Sequence, residues 1–500
     1  MSVFAWLHLR RRTGSDMTRS NVLSAVLVVA AVFAARAKTV VELKDDGSAL
    51  INPGMGWVMH YYDNGPKYGN LIKTGDSLEW FPGCSVIYLR LPWAHLEPEE
   101  GKFNWNSIDT PAQQWIERGG QVAFRITCSE TMKEATPEWV AKAGAKTIRW
   151  QWDDKNRKWG RNPEGKFWEC VPDDPVYLEK LGNFLKAFAA RYDGRKEVAF
   201  VDIGSVGIWG EGHTGRTIQL SPEETQRIVK LHTELHLKYF KRTLLVVNDD
   251  FTCSKRHQTS PAIDYALAKG LGWRDDSIMV QPKLWFHEEQ AGMFWPKSPT
   301  IIESAHYRYA KNKRLWSGKR LLDSIEAHHA SYCSIHGDPK EIFEENRDAI
   351  AAINRRLGYR FQARRTIYPG KVVSHADPQK AVPFKVEFTF ANAGVAPSYF
   401  PVYPCLTLKT AEGGIAAVLA DSGFDLSRLP VAGPGAAEAK THVAEFTLGR
   451  WQRPVLPPGR YSVYISAGDA DGTPVVELPY GGEDGKRRYR IGEIEVAEVQ

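Results

Sequence analysis

Between residues 45 and 357, short apolar runs alternate with helical patterns, and this constrains the fold more than any other feature of the 500-residue chain. SVIYLRLPW (Ser85 to Trp93) leads into a helix pattern that closes at Gly119 and Gly120, and then into QVAFRITCS (Gln121 to Ser129), a βαβ unit. Leu178, Leu181, Leu185 and Phe188 repeat at the spacing of one helical face and deliver the chain to VAFVDIG. Ser221 and Glu224 have the spacing of a capping box, opening a helix that carries Ile228, Leu231 and Leu235 and runs to TLLVVNDDF (Thr243 to Phe251). Further strands are expected at SIMVQPKLWF (Ser277 to Phe286), TIIESAHY (Thr300 to Tyr307) and ASYCSIHG (Ala330 to Gly337). With GMGWVMHYY (Gly54 to Tyr62) the count reaches eight, which predicts an α/β fold, a (β/α)8 TIM barrel, over 38–357.

After Gly358 the helical periods stop. FKVEFTFANAG, PCLTLKT, HVAEFTLG, RYSVYISAG and RRYRIGEIEV alternate with Gly- and Pro-rich turns, predicting a C-terminal antiparallel β-sandwich over 358–500. The other end is a leader. Arginines precede the apolar run Val22 to Ala34, and Ala35-Arg36-Ala37 is an A-x-A cleavage signature, so 1–37 reads as a secretory signal peptide. A secreted or periplasmic bacterial protein, with no membrane span once the leader is cleaved, is the expectation.

Residues 1–37 hold five Arg and one Asp, so removing them takes the formal charge from +6 to +2. That remainder lacks the clustered basic face a nucleic-acid partner requires. The spacing of the six cysteines fits no zinc pattern, and Cys84, Cys128 and Cys333 fall in or beside core strands, where buried thiols are expected. A Cys128–Cys170 bridge is the alternative for that pair. His287-Glu288-Glu289 lacks the second His of a zinc protease motif, and there is no phosphate loop or serine-hydrolase elbow, so no cofactor and no metal is expected.

In a barrel the strand ends carry the chemistry. Glu211, in GSVGIWGEGH, follows the fourth strand, and Glu303, in TIIESAHY, ends the seventh. In a closed barrel these positions face each other across the mouth, and two opposed carboxylates are what glycoside hydrolysis uses. YLRLPWAHLEPEEGKFNWNSID (Tyr88 to Asp109) resembles the second strand and following loop of clan A glycoside hydrolases, particularly family 42 β-galactosidase-type enzymes. NPGMGW, RYDG, GIWGEGH and LGYRF also resemble bacterial proteins that join such a barrel to the domain of unknown function numbered 4832.

The clan resemblance implies Glu211 as general acid/base and Glu303 as nucleophile of a retaining enzyme acting on a β-linked oligo- or polysaccharide, a β-galactoside among the candidates. It also implies that Arg90 holds Glu303 ionised, leaving Glu211 away from the cation and able to keep a proton. One departure is Gly210, where the clan has Asn, for which Asn248 is a candidate replacement. Trp93, Trp209 and Trp285 are candidates for the pocket wall or for core packing. His95, His213, His306 and His336 are candidates to bind sugar hydroxyls or orient a carboxylate. Asp249 and Asp250 read as capping residues, and Asp202 as a structural hydrogen-bonding group. The long third loop pairs TIRWQW with KFWECV as a hairpin, its tryptophans mostly packing it to the barrel. The alternative reading, supported by Gly210, is a non-catalytic carbohydrate-binding or scaffold protein; a lyase acting on acidic polysaccharide is a third.

Overall fold

The structure, a computed structural model, describes residues 38–62, 78–131, 135–153, 155, 158–215, 217–252, 259–280, 287–375, 377–449 and 456–498. The leader, Cys253 and Trp285 lie outside the described residues. Among the described residues no helix is long and apolar enough to cross a membrane.

In chain order, β1 (Lys38–Glu42) is followed by β2 (Gly56–Tyr62), β3 (Cys84–Pro92) and β4 (Gln121–Thr127). An excursion then forms β5 (Thr147–Asp153), β6 (Lys158–Arg161) and β7 (Phe167–Cys170). The chain returns through β8 (Val198–Asp202), β9 (Leu245–Asn248), β10 (Gly272–Ile278), β11 (Thr300–Ser304) and β12 (Tyr332–Ile335). Strands β2, β3, β4, β8, β9, β10, β11 and β12 close into the expected eight-stranded parallel barrel.

The strands read as apolar runs because both faces are buried, one against helices and one inside the barrel. The lower interior is a layer of Val58, Val86, Tyr88, Ala123, Phe200, Val246, Ile301 and Tyr332. Outside, the helix Pro175–Tyr192 buries Leu181, Leu185 and Phe188. The helix Pro222–Tyr239 starts at the anticipated capping box, with Glu224 N donating to Ser221 Oγ at 3.2 Å and Ser221 N to Glu224 Oε2 at 2.9 Å.

The sixth barrel strand differs from the expectation. It is GWRDDSI (Gly272–Ile278), whereas the expected strand began at Ser277 and ran into 281–286, which lie outside the described residues. Arg274, Asp275 and Asp276 look like a solvated turn in sequence. In the fold Arg274 faces inward onto Tyr88, 4.9 Å from its ring, while Asp275 faces the helix Gly318–His328 and meets His328 Nε2 at 3.1 Å. Mutual pairing of charges hides a strand that apolar periodicity cannot show.

The third loop is three-stranded rather than a simple hairpin. Strand β5 pairs with β7 as anticipated and also with β6, which lies between the two in the chain. Trp150 is fully buried there, whereas Trp152 is 38% exposed.

Beyond the barrel come β13 (Phe361–Pro369), β14 (Lys371–His375), β15 (Phe384–Asn392), β16 (Tyr403–Lys409), β17 (Ile415–Ala420) and β18 (Ala439–Phe446). They are followed by β19 (Leu448–Gly449), β20 (Gly459–Gly468), β21 (Pro474–Val476) and β22 (Tyr489–Glu498). One sheet, β1-β13-β15-β18, is antiparallel. The other runs β17-β16-β20-β22-β14-β19, with β21 on β20. It is mixed, because β14 lies parallel to both β22 and β19, and this corrects the purely antiparallel expectation: alternation reveals a strand but not its direction. Both sheets contribute to one apolar cluster that includes Phe388, Phe390, Leu406, Val463 and Ile494. Lys38–Glu42, assigned from sequence to the barrel segment, is an edge strand of the first sheet, paired to β13. Cys84, Cys128, Cys170, Cys333 and Cys405 are buried, and Cys128 and Cys170 form no bridge.

Candidate active site

The ends of the barrel strands converge on a buried cluster of acids and arginines. Glu303, on β11, is 4% exposed, and its Oε2 accepts from Arg274 Nη1 at 2.9 Å. His60 Nε2 from β2 lies 3.5 Å from the same oxygen, and His336 Nδ1, after β12, lies 3.4 Å from Oε1. Burial would raise the pKa of Glu303, but His60, His336 and Arg274 together hold it well below the usual carboxylate range. Its direct cationic partner is Arg274, while Arg90 reaches it only through longer-range attraction.

Glu211 sits on the loop after β8 and is 9% exposed. Its Oε1 accepts from Arg125 Nη1 at 3.0 Å and Arg90 Nη2 at 3.4 Å, and its Oε2 lies 3.5 Å from His213 Nε2. Burial again works toward a raised pKa, yet His213, Arg90 and Arg125 bring Glu211 down to about 2. This corrects two expectations. Arg90 partners Glu211, not Glu303, because it stands beside Arg125 in the β3–β4 register; the arginine on Glu303 comes from β10. Glu211 is therefore beside two cations and holds no proton of its own at rest.

The loop geometry explains its glycines. Gly210 has φ +74°, and a Cβ there would lie 2.6 Å from Gly204 Cα and carbonyl O. The clan asparagine is thus excluded sterically at this position. Trp209 adopts φ +62° without being glycine, and its carbonyl accepts from Arg90 at 3.1 Å and Arg125 at 3.4 Å. Such a backbone persists only where surrounding contacts impose it.

The other candidates divide. Trp209 lies at the mouth, its ring edge-on to His213 at 5.8 Å. Asn248 ends β9, with its Nδ2 donating to Asp276 and its Oδ1 accepting from Asp250 N at 2.8 Å, so its amide is engaged inside the cluster. His306 packs edge-on to His336 at 5.3 Å. Trp93 is no pocket wall: it is fully buried, donates to Glu97 at 2.8 Å, and packs on Trp139 at 5.7 Å and Phe184 at 5.6 Å. His95 turns away to Ser107 Oγ at 3.2 Å.

Several residues were not anticipated. Arg125 links Glu211 to Asp202 at 3.3 Å and Asp276 at 3.2 Å, while Arg274 Nη2 lies 2.8 Å from Asp202 Oδ2. Asp202 also accepts from the Tyr88 hydroxyl, which fits its expected structural role. Glu130 is 3% exposed, and burial, against Arg90, pushes it up to about 7. Burial also holds Asp276 well above the usual range, against Arg125. The available signal was a charge inside an apolar strand, as in QVAFRITCS. His60, Glu303 and His336 bring ligand atoms within 4.8 Å of one another, a spacing that could hold a cation. Arg274 already neutralises the same carboxylate, so a divalent ion there would meet a fixed competing charge.

Residues 82–205, from β3 through β8, match the family model for family 42 glycoside hydrolases, described as beta-galactosidase. The barrel resembles those of family 42 glycoside hydrolases. The beta-galactosidase LacA of Lactobacillus acidophilus is 26% identical over 113 residues, which cover 23% of this chain and 15% of that protein. The chain thus spans about a seventh of that relative's length. Among solved structures, the catalytic domain of a β-amylase from Paenibacillus polymyxa aligns with TM-score 0.40 and 9% identity, over 57% of this chain and 92% of that one. Endo-glycoceramidase II from Rhodococcus sp. aligns with TM-score 0.37 and 11% identity, over 82% of this chain and all of that one. Within the family-42-like barrel, Arg90 and Arg125 lie in the matched segment, while Glu211 and Glu303 lie beyond its end.

Proposed function

We propose that the protein is an exported glycoside hydrolase that cleaves a β-glycosidic bond in an oligo- or polysaccharide by double displacement. The observation that carries this reading is a family-42-like barrel with two buried carboxyl groups, Glu211 after the fourth barrel strand and Glu303 on the seventh, each held by its own cations. Glu303, ionised and bound to Arg274, is suited to attack the anomeric carbon. Glu211 acts on the leaving oxygen, with its proton supplied from His213, whose pKa is raised: burial opposes this, but Glu211 and Asp250 outweigh it. Electron pairs then move from Glu303 to the anomeric carbon and from the glycosidic bond to the protonated leaving oxygen, and water completes the cycle. β-Galactosides are the first substrates to try, on the strength of the family resemblance.

The test is hydrolysis of a panel of aryl β-glycosides and β-linked oligosaccharides, with the anomer released first read by NMR. The β-anomer appearing first supports retention, and the α-anomer first refutes it. Glu303→Gln should lower kcat by at least about 10³ while the fold survives. A second reading, a carbohydrate-binding protein, is favoured by one observation, the closure of Glu211 onto two arginines. Under that reading no substrate is turned over, and Glu211→Gln leaves glycan affinity unchanged.

A further inference from the structure

Glu211 accepts no proton readily, yet double displacement requires one at the leaving oxygen. The site holds a group in position to supply it. His213 Nε2 lies between two carboxylates, 3.5 Å from Glu211 Oε2 and 3.3 Å from Asp250 Oδ2. Asp250, in the 3-10 turn Asp249–Thr252 after β9, is fixed by donation of its backbone N–H to Asn248 Oδ1 at 2.8 Å. Its side chain keeps 29% of its surface exposed, against 11% for Glu211. A single imidazole nitrogen therefore connects a buried carboxylate to one that meets solvent.

We propose that His213 and Asp250 form the proton store of the site, with Asp250 as a positioning residue that holds His213 protonated beside Glu211. This rests on the glycosidase reading and specifies where its proton resides. In the first step the Nε2 proton of His213 passes to Glu211 and on to the leaving oxygen as the C1–O bond breaks and Glu303 bonds to C1. In the second step water attacks C1, its proton returns through Glu211 to His213, and the Glu303–C1 bond breaks. Protons and charges balance over the cycle without an external acid.

Among the described residues, the charged groups around this store come from several elements, Asp275 of β10 among them. Glu211 lies on the same loop, Asp249 and Asp250 come from the turn after β9, and Trp209 presents its ring. Behind Glu211 stand Arg90 from β3, Arg125 from β4 and Glu130 from the following loop. Burial, the neighbouring Asp249 and the more distant acids together push Asp250 up to about 7 even against His213. His213 and Asp250 thus titrate as a coupled pair that shares a proton, not as two independent groups.

The first experiment needs no substrate. The mature protein, labelled at histidine Cε1, is titrated by NMR, with His213→Gln used to assign the His213 signal. The expected result is a midpoint well above 6.5 that falls by at least about one unit in Asp250→Asn and in Glu211→Gln. A midpoint at or below 6.5, or one that Asp250→Asn leaves in place, overturns the proposal. The second experiment uses whichever glycoside the wild type hydrolyses. The alkaline limb of kcat/KM should follow the His213 midpoint and shift down with it in Asp250→Asn, and His213→Gln should lose more rate with methyl than with dinitrophenyl leaving groups. An alkaline limb that stays put in Asp250→Asn, or equal losses with both leaving groups, overturns the role. Absence of any turnover refutes the glycosidase reading alone, because the NMR titration still decides whether the store exists.

Discussion

Arg274→Met tests whether the upper barrel is held by its charges. The Arg274 side chain has no exposed surface, with Nη1 2.9 Å from Glu303 and Nη2 2.8 Å from Asp202. At about 3 Å and an effective dielectric constant of about 20, each such attraction is about 6 kcal/mol, most of it offset by the cost of taking the ions out of water. The net effect is asymmetric. Removing the guanidinium takes the nearest cation from two buried carboxylates at once, leaving Glu303 to His60 and His336 and Asp202 to Arg125 and the Tyr88 hydroxyl, and a loss of about 3–5 kcal/mol is expected. Guanidinium-chloride unfolding followed by tryptophan fluorescence reads this well, because Trp451 is the single tryptophan beyond residue 357 and the signal comes from the barrel. Adding Asp202→Asn should recover at least about 1 kcal/mol, since one under-compensated buried charge is gone. A loss below about 1 kcal/mol for Arg274→Met, or a double variant worse than the sum of the singles, would show that these charges do not hold the upper barrel.

Other perturbations reach the loop, the core and the pH response. Gly210→Asn, which would restore the clan residue, should instead destabilise the barrel by about 2 kcal/mol or more, from a Cβ set 2.6 Å from Gly204 backbone and a left-handed φ; wild-type stability in the same unfolding assay would contradict this. Trp93→Ala should cost about 3–5 kcal/mol, while Trp93→Phe should leave KM for any substrate unchanged, as expected for a core residue rather than a pocket wall. His232 and His236, buried on the helix Pro222–Tyr239, are lowered to about 4 by burial. Their folded pKa lies below the unfolded value, so the stability they confer is complete above about pH 6.5 and is lost as pH falls toward 4, by up to about 1.4 kcal/mol per pH unit for each histidine. Unfolding free energies measured between pH 7 and 4 should show this slope, and His232→Gln should make it shallower.

The barrel was legible because seven of its strands are apolar runs separated by helices with readable faces, as at Leu181, Leu185 and Phe188. The strand Gly272–Ile278 was not, since Arg274 and Asp276 are buried by pairing rather than by being apolar. The same physics separates the site into readable and hidden parts. Glu211 and Glu303 were placed by their position after strands, a one-dimensional property. Which arginine meets which carboxylate depends on how β3, β4 and β10 are set around the closed barrel, and so Arg90 was assigned to the wrong partner. Trp93, at a strand end, could face the mouth or a helix, and only packing against Trp139 and Phe184 decides it. In the C-terminal sheets, alternation located the strands, while the parallel placement of β14 depends on chain direction, which alternation does not encode.

As nucleophile, Glu303 must carry the glycosyl group between the two displacements. Incubation with dinitrophenyl 2-deoxy-2-fluoro-β-glycosides of galactose, glucose, mannose and xylose, followed by peptide mass spectrometry, tests it directly. Activity should be lost with one sugar, with a single glycosyl adduct on the peptide containing Glu303 that is absent in Glu303→Gln. An adduct on Glu211 or another carboxyl, or hydrolysis of natural substrate that none of the four reagents slows, would contradict it.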